Sequence, residues 1–343
     1  MALKEKRMRE VNLLPDSVMA YMNDDFETLK LQEYFDTQNL CDKPLPVELY
    51  APCLDGMPDA VTVYFGLNED LSDAQEFRLQ SGQKSVTVRN LFAGTEYFCK
   101  YVCPDGREYR ESFITVPQAP RFIDVDGLRN VRDFGGWRAE GGRLRQGLIY
   151  RGSEMNLIAD HGIQITPSGI DTMKNCLGIR SDLDLRSPSE SGGITHSPLG
   201  KDVIYFRQPI LGYMDMFKEE YIPALKEIFT FLARRENYPV YLHCWAGADR
   251  TGTLIALLKA ALGVSYEDIT RDLELSTFSM FGVRGRSNRE FTYEEFFAHL
   301  KERHPSQSLQ GSARSYLLDK VGVNRNDLLS IGQILIDIGG ETR

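Results

Sequence analysis

A stretch in the second half of the chain decides the predicted fold. Residues 240–253 read V-Y-L-H-C-W-A-G-A-D-R-T-G-T. Their apolar start predicts a buried strand, residues 251–262 predict a helix, and a short loop joins the two. Leu183-Asp184-Leu185 predicts another buried strand, and residues 221–234 predict an amphipathic helix. Alternation of this kind favours an α/β domain with a mostly parallel central sheet flanked by helices.

The loop between strand and helix has the composition of an anion-binding site built around a cysteine. Helix N-termini and nearby cations favour the nucleophilic thiolate, so we expect Cys244 to be the nucleophile. Five residues separate it from Arg250, enough for the backbone to curl around a tetrahedral anion with its amides pointing inward. Arg250 has a planar fork that matches two phosphate oxygens. The residues predicted to bind substrate are therefore Trp245, Ala246, Gly247, Ala248 and Arg250.

Three residues of this stretch are predicted to support the chemistry. Gly247 permits a backbone conformation or a close approach that a side chain would hinder. Thr251 can donate a hydroxyl hydrogen bond to the thiolate, which would help the sulfur leave from a thiophosphate intermediate. We expect His243 to brace the loop from behind through hydrogen bonds rather than to act on substrate.

The loop H-C-x5-R-T resembles the signature of the protein tyrosine phosphatase superfamily. Three other segments follow the order of the bacterial tyrosine phosphatase family, which has dual-specificity and lipid-substrate members. They read L-R-N-V-R-D-F-G-G at residues 128–136, G-L-I-Y-R-G-S at 147–153 and D-L-D-L-R-S-P-S-E at 182–190. The resemblance covers residues 121–340 and implies a cysteine-dependent phosphatase without a cofactor or a metal. Rhodanese-like sulfurtransferases and arsenate reductases also use a cysteine loop but do not usually carry these flanking segments.

Cleavage of a phosphate ester needs a proton donor, and three aspartates are candidates. The family resemblance places the general acid at Asp184, which would emerge beside the Cys244 loop at the rim of a parallel sheet. Asp249, inside the loop, is the rival, and its other role would be to orient Arg250. Asp215 is a third candidate. Arg186 is either a surface charge or a salt-bridge partner that positions Asp184 or the loop.

One departure from the family bears on the substrate. Phosphoinositide-cleaving relatives tend to carry a lysine in the loop where this chain has Ala248. The loop's one cation is also balanced by Asp249, which favours a substrate with a single phosphate, such as phosphotyrosine. Three arginines further along could supply additional charge, although we interpret them as a solvated face. They are Arg284, Arg286 and Arg289.

The chain divides into three parts by its pattern of apolar and polar residues. Residues 1–44 show no sustained period. Residues 45–117 alternate apolar and polar positions in short runs such as V-T-V-Y-F at 61–65, which predicts a small all-β sandwich. Residues 91–97 resemble the tyrosine corner of fibronectin type III domains. After a Pro117–Pro120 linker, residues 121–343 form the phosphatase-like domain, and we expect the sandwich to bind a partner or to pack on it.

Composition limits the partners and the compartment. The 343 residues carry a net charge of −9, which disfavours nucleic acid and anionic membrane as partners. The start of the chain is charged and no run is long enough to span a bilayer, so we expect a cytoplasmic protein, unless a secretion signal has been trimmed. The spacing of the six cysteines favours reduced thiols over disulfides or a zinc site. They are Cys41, Cys53, Cys99, Cys103, Cys176 and Cys244.

The sequence leaves several functions to weigh. The first is an active phosphatase on phosphotyrosine, with phosphoserine and phosphothreonine as further substrates and a phosphoprotein or small phosphomonoester as partner. A phosphoinositide or inositol phosphate phosphatase is an alternative. A binding module that holds phosphate without turnover is another, but Cys244, Arg250 and Thr251 argue against it because the catalytic set is intact. A sulfurtransferase or redox protein is disfavoured because no resolving cysteine is visible near the loop.

Overall fold

The computed structural model describes residues 8–36, 38–52, 61–80, 82–156, 162–286, 294–302 and 307–339. Its helices are α1 (Asp16–Asn23), α2 (Pro167–Asp171), α3 (Ile222–Leu232), α4 (Asp249–Ala261), α5 (Tyr266–Glu274), α6 (Glu294–Glu302), α7 (Leu309–Ser315) and α8 (Arg325–Leu335). Its strands are β1 (Arg9–Val11), β2 (Val47–Tyr50), β3 (Val61–Gly66), β4 (Gln75–Leu79), β5 (Ser85–Val88), β6 (Glu96–Val102), β7 (Glu108–Thr115), β8 (Arg132–Asp133), β9 (Arg138–Ala139), β10 (Gly142–Leu144), β11 (Ile149–Gly152), β12 (Ser181–Asp184), β13 (Ile204–Arg207), β14 (Val240–His243) and β15 (Ile336–Asp337).

Strands alone form the regular structure described within residues 45–117. A five-stranded sheet has the order β1-β7-β6-β3-β4, and β2 pairs with β5. The strands pack on a core of their own, because alternate side chains of β6 are buried, as expected for a sheet with one covered face. The Phe92 amide donates a hydrogen bond of 2.7 Å to Tyr97 Oη, a contact of the kind expected at a tyrosine corner. The likeness to fibronectin type III stays a prediction. The turns predicted at Asp55-Gly56 and Ser81-Gly82 lie wholly or partly outside the described residues.

Residues 1–44, for which the sequence predicts no element, divide between two parts of the molecule. Strand β1 pairs in parallel with β7 and so belongs to the β-sheet. Helix α1 instead packs on the second domain, where Tyr21 is fully buried and its hydroxyl donates to Glu274 Oε2 over 2.6 Å. Further along, buried Asp42 accepts the amide hydrogen of Asn130 at 2.9 Å. This segment therefore ties the β-sheet to the catalytic-loop region.

A five-stranded sheet forms the centre of the second domain. Its order is β13-β12-β14-β11-β8, with parallel neighbours except at the β11-β8 edge. Strand β14 lies in the middle and all four of its residues are buried. Helix α4 follows β14 after five residues, and every residue of it from Thr251 onward is buried. The loop between them therefore lies at the centre of the sheet's carboxyl edge.

Residues 312–338, whose sequence pattern is helical, fall into two helices and a short strand. Helix α7 continues into a wider turn that ends at Gly322, whose φ of +75° lies in the left-handed region and stops the helix. Asn324 then caps α8 through its side chain, which accepts the Asn326 amide hydrogen. A short strand, β15, completes the tail by pairing with β10.

The prediction of reduced thiols is wrong at one described position. Cys103 is disulfide-bonded, whereas Cys41, Cys99, Cys176 and Cys244 are free thiols. Cys53 lies outside the described residues.

None of the helices in the described ranges combines the length and the apolar composition needed to cross a bilayer.

Candidate active site

The loop of residues 244–248 is built so that its carbonyl oxygens point away from its centre. Trp245 O accepts the Glu154 amide hydrogen at 2.8 Å, and Gly247 O accepts from Arg151 Nη2 at 2.7 Å. Ala246 O, between them, accepts from Asn130 Nδ2 at 3.0 Å. In a trans peptide the N–H points opposite to the carbonyl, so the amides of these peptide units face the interior of the loop. The arrangement is an anion nest at the start of α4.

Gly247 allows the loop to approach the neighbouring strand. Its φ is +66°, and a Cβ built on it would lie 2.2 Å from Gly152 O. Any side chain would therefore force the loop away from β11. The close approach proposed from the sequence is present, and it places Gly247 O within reach of Arg151.

Cys244 lies at the base of this loop with 2% of its surface exposed. His243 lies between two oxygens, with Nδ1 3.0 Å from Cys244 O and Nε2 2.9 Å from Asp182 Oδ1, and these contacts are compatible with the predicted bracing role. Burial alone would lower the pKa of His243, but the carboxylates of Asp184 and Asp182 raise it to about 9. An imidazolium can donate to both oxygens at once, and the raised pKa favours this charged form of His243 behind Cys244.

Arg250 is held by the carboxylate of Glu190, a residue for which the sequence predicts no role. Its Nη1 donates to Glu190 over 3.0 Å, and the arginine side chain is 15% exposed. Glu190 ends the segment that begins at Asp182. Its charge, opposite to that of Arg250, was the one feature of the sequence that could have indicated this ion pair. Glu190 thereby fixes the direction of the guanidinium.

Thr251 has a buried hydroxyl at the first turn of α4. Its Oγ1 has no hydrogen-bond partner in the described part of the chain. A buried polar group without a protein partner is explained by strain, by a bound water or ion, or by a catalytic role. This position is compatible with the predicted hydrogen bond to a leaving thiolate.

Asp184 lies close to the loop but is placed differently from a general acid. Its carboxylate accepts three hydrogen bonds from Arg186, at 2.8 to 2.9 Å, and one from Tyr205 Oη. Burial acts to raise the pKa of Asp184, but His243 and Arg186 outweigh it and hold the pKa below its usual value. A fully buried, ionised carboxylate has no proton to deliver. The general-acid role of Asp184 stays a prediction, and these contacts favour a positioning role instead.

Arg186 and its partners define what we call the acidic network. The salt bridge between Arg186 and Asp184 is present, and Arg186 also donates to Glu154 Oε2 over 2.6 Å. The network contains three carboxylates and two cations, all buried. Its members are Asp182, Asp184, Glu154, Arg186 and His243.

Asp249 is the carboxylate that the loop itself supplies. Its Oδ1 accepts from Tyr213 Oη at 2.6 Å and from Arg284 Nε at 2.7 Å. Its side chain is 29% exposed. The third candidate, Asp215, lies in a short helical turn that begins at Tyr213, where it forms an exposed ion pair with Lys218.

The interpretation of the three later arginines as a solvated face is wrong for two of them. Arg284 is 8% exposed and forms a salt bridge with Asp249. Arg286 is partly buried and donates to Glu274. Arg289 lies outside the described residues. Isolated arginines in a segment without periodicity offered no signal of these partners.

A second group of buried charges, the cationic cluster, lies behind the other half of the loop. It consists of Arg132, Arg151, Lys259 and Asp272. All three cations contact Asp272, at 2.7, 3.1 and 2.9 Å respectively. Burial acts to raise the pKa of Asp272, but the three cations hold it well below its usual value. No local sequence pattern marks this cluster.

Within the described ranges, no group of three or more acidic, cysteine or histidine side chains is arranged to hold a metal ion. The Cys244 loop instead offers backbone amides and a guanidinium, which bind anions.

Comparisons with known proteins agree with this chemistry. A family model described as the tyrosine phosphatase family matches residues 123–337. A Cupriavidus necator protein named as a tyrosine-protein phosphatase is 30% identical over 186 residues, which cover 45% of this chain and 65% of that protein. A tyrosine-protein phosphatase of Nostoc commune is 25% identical over 126 residues, 31% of this chain and 43% of that protein. The chain thus spans less than two thirds of either relative's length.

A solved structure gives a weaker likeness. It is the core catalytic domain of the PP-IP phosphatase SIW14 from S. cerevisiae in complex with citrate. The sequence identity is 16%, the match covers 46% of this chain and 88% of that chain, and the TM-score is 0.29. Such a score carries no argument about this chain.

Proposed function

Since the chain belongs to the tyrosine phosphatase family, we propose that it hydrolyses phosphate monoesters through a cysteinyl-phosphate intermediate at Cys244. The observation that supports this most strongly is the loop itself, whose carbonyls are all held outward by neighbouring donors. Its inward amides and Arg250 would bind the three terminal oxygens of a phosphate above the Cys244 sulfur. Thiolate attack on phosphorus would form the S–P bond as the ester P–O bond breaks.

We propose Asp249 as the group that protonates the leaving oxygen in the first step. It is the carboxylate within the loop, next to Arg250, and part of its side chain reaches solvent. Asp184 lacks that access because it is fully buried and bonded to Arg186. In the second step the same carboxylate would take a proton from the water that attacks phosphorus and releases inorganic phosphate.

The preferred substrate in this proposal carries one phosphate, with phosphotyrosine first and phosphoserine or phosphothreonine second. Ala248 adds no charge to the loop, and the described arginines beside it are already paired: Arg250 with Glu190, and Arg284 with Asp249. A polyphosphorylated headgroup would need additional cations to balance its charge.

A turnover panel tests the proposal. Purified protein is assayed on phosphotyrosine, phosphoserine and phosphothreonine peptides and on phosphoinositides, with Cys244→Ser as control. We expect hydrolysis of phosphotyrosine peptides and its loss in Cys244→Ser, while tungstate binding survives because the amides and Arg250 remain. Hydrolysis that persists in Cys244→Ser would place the chemistry elsewhere. Faster turnover of phosphoinositides would overturn the substrate assignment.

A further inference from the structure

The cationic cluster holds more positive charge than its own carboxylate balances. Arg132, Arg151 and Lys259 each have no exposed surface, and Asp272 is 1% exposed. Among the described residues, no second carboxylate lies within ion-pair distance of these three cations. A buried ion without a counter-charge costs several kcal/mol, so another negative charge is expected close by.

Two short paths connect the cluster to the catalytic loop. Arg151 donates to Asp272 through Nη1 and to Gly247 O through Nη2. Arg132 donates to Asn130 Oδ1, and Asn130 in turn donates to Ala246 O. The excess positive charge therefore lies directly behind the amides that form the anion nest.

Lys259 is the member of the cluster farthest from the loop along these paths. Its Nζ lies 2.9 Å from Asp272 Oδ2 and 4.4 Å from the centre of the Trp137 ring. Neither contact reaches the loop directly. A methionine of similar length would fill the same space, so packing alone does not require a charge at this position.

We propose that Lys259 is a positioning residue for the phosphatase reaction, and that the charge it adds to the cluster is balanced by the Cys244 thiolate and the bound phosphate. It acts through Asp272 and Arg151, which hold Gly247 O outward. The proposal rests on the proposed function insofar as Cys244 is the nucleophile.

The ionisation of Lys259 is compatible with this role. Burial lowers the pKa of Lys259 to about 8, and Arg151 and Arg132 act in the same direction while Asp272 opposes them. The side chain is therefore mostly charged at neutral pH. The titratable or charged groups that face it are Asp272 and Asp268 on α5, Arg132 on β8 and Arg151 on β11.

The test measures Cys244 and anion binding without turnover. Lys259→Met and Lys259→Gln remove the charge, Lys259→Arg keeps it, and Lys226→Met removes an exposed lysine of α3 as a matched control. Alkylation of the Cys244 peptide by iodoacetamide, followed by mass spectrometry across pH, gives the midpoint of thiolate formation. Titration with tungstate, a tetrahedral dianion, gives the affinity of the nest. Urea unfolding checks the fold of each variant.

We expect the Cys244 midpoint to rise by roughly half a unit to one unit in Lys259→Met and Lys259→Gln, and the tungstate Kd to rise roughly 3- to 10-fold. Lys259→Arg should restore both values, and Lys226→Met should change neither. A folded Lys259→Met protein with the midpoint and Kd of the control would overturn the proposal. Absence of turnover in the wild-type protein would instead overturn the proposed function. The two failures are distinguishable because neither the alkylation midpoint nor the tungstate Kd depends on turnover.

A second comparison applies if both neutral variants fail to fold. Tungstate affinity is measured from about pH 7 to about pH 9.5 in the wild type and in Lys259→Arg. The wild type should lose more affinity over this range, because Lys259 deprotonates near pH 8 and arginine does not. His243, Cys244, Asp268 and Asp272 are common to both proteins, so the difference reports on position 259. Identical pH profiles would overturn the proposal.

Discussion

The acidic network and the cationic cluster contact the two halves of the same loop. The acidic network has more carboxylates than cations, whereas the cationic cluster has three cations and one carboxylate. The acidic network contacts the first half, through His243 at Cys244 O and the Glu154 amide at Trp245 O. The cationic cluster contacts the second half, through Arg151 at Gly247 O and, by way of Asn130, at Ala246 O. Both groups are buried, so their charges act with little screening by solvent.

The comparison shows that buried charges can hold a loop in place in one group and also set the electrostatic potential at the site in the other. In the acidic network each cation has a carboxylate within 3 Å, and the surplus carboxylate keeps His243 protonated. In the cationic cluster three cations share Asp272, and the surplus faces a site that binds anions. The first group fixes geometry, whereas the second also sets the potential felt by thiolate and phosphate.

The largest expected effect separates the two aspartates that competed for the proton-donor role. Asp249→Asn should lose about 10²- to 10⁴-fold in rate on alkyl phosphates and much less on p-nitrophenyl phosphate, because an acidic phenol leaves without a proton donor. Asp184→Asn should instead slow both substrates by a similar factor, since it disturbs Arg186 and the loop. The check is kcat for both substrates in both variants. If kcat on alkyl phosphates falls more than kcat on p-nitrophenyl phosphate in Asp184→Asn alone, Asp184 is the proton donor. The acidic network would then act in the chemistry and not only in positioning the loop.

A smaller effect is expected on the free energy of unfolding when one carboxylate of either group is neutralised. Asp272→Asn removes the carboxylate that three buried cations share, so the free energy of unfolding should fall by about 3–5 kcal/mol. Asp182→Asn should cost about 1–2 kcal/mol, because Asp184 remains to balance His243. Urea titrations of both variants give the two values. A larger loss in Asp182→Asn would show that the acidic network is the less compensated group.

The smallest expected effect is a pH dependence of opposite sign in the two groups. The folded pKa of His243 is about 9, above its ordinary value, so the stability it contributes is present below about pH 6.5 and is lost as pH rises to about 9. The folded pKa of Lys259 is about 8, below its ordinary value, so the penalty of burying its charge is relieved between about pH 8 and about 10.5.

The variants His243→Gln and Lys259→Met measure these two contributions. Each variant's unfolding free energy is compared with that of the wild type across this range. The stability difference between wild type and His243→Gln should shrink as pH rises, whereas the difference between wild type and Lys259→Met should move in favour of the wild type above pH 8. Slopes of the same sign in both comparisons would contradict the opposite directions of the two pKa shifts.

Local pattern predicted much of this site. The strand, loop and helix around Cys244 follow from an apolar run, a glycine-containing turn and a buried helix, and these elements are contiguous in sequence. The close approach of Gly247 and the loop contact of His243 follow from their positions next to Cys244, and the roles of both residues stay predictions. The Arg186 salt bridge to Asp184 involves residues two apart on one strand end, so it was also within reach of sequence reasoning.

The long-range contacts were beyond the sequence because nothing local marks them. The cationic cluster draws on β8, β11, α4 and α5, and Arg132 is buried against Asp272, a residue 140 positions away in the sequence. Nothing in the sequence distinguishes Lys259 from an exposed helical lysine, since one sequence does not show that α4 is covered on all sides. For Asp184, the position at the sheet rim and the salt bridge with Arg186 were predictable, but its complete burial was not.

The most direct test of the account is detection of phosphate on Cys244 itself. Wild-type protein is mixed with a phosphotyrosine peptide, quenched within milliseconds, digested under conditions that preserve thiophosphate esters and examined by mass spectrometry. The account predicts phosphate on the peptide that contains Cys244. With p-nitrophenyl phosphate as substrate, whose leaving group needs no proton donor, it predicts more of this phosphate in Asp249→Asn, where activation of the attacking water is slowed. Turnover of the substrate with phosphate absent from Cys244 throughout the time course would contradict a cysteinyl-phosphate mechanism.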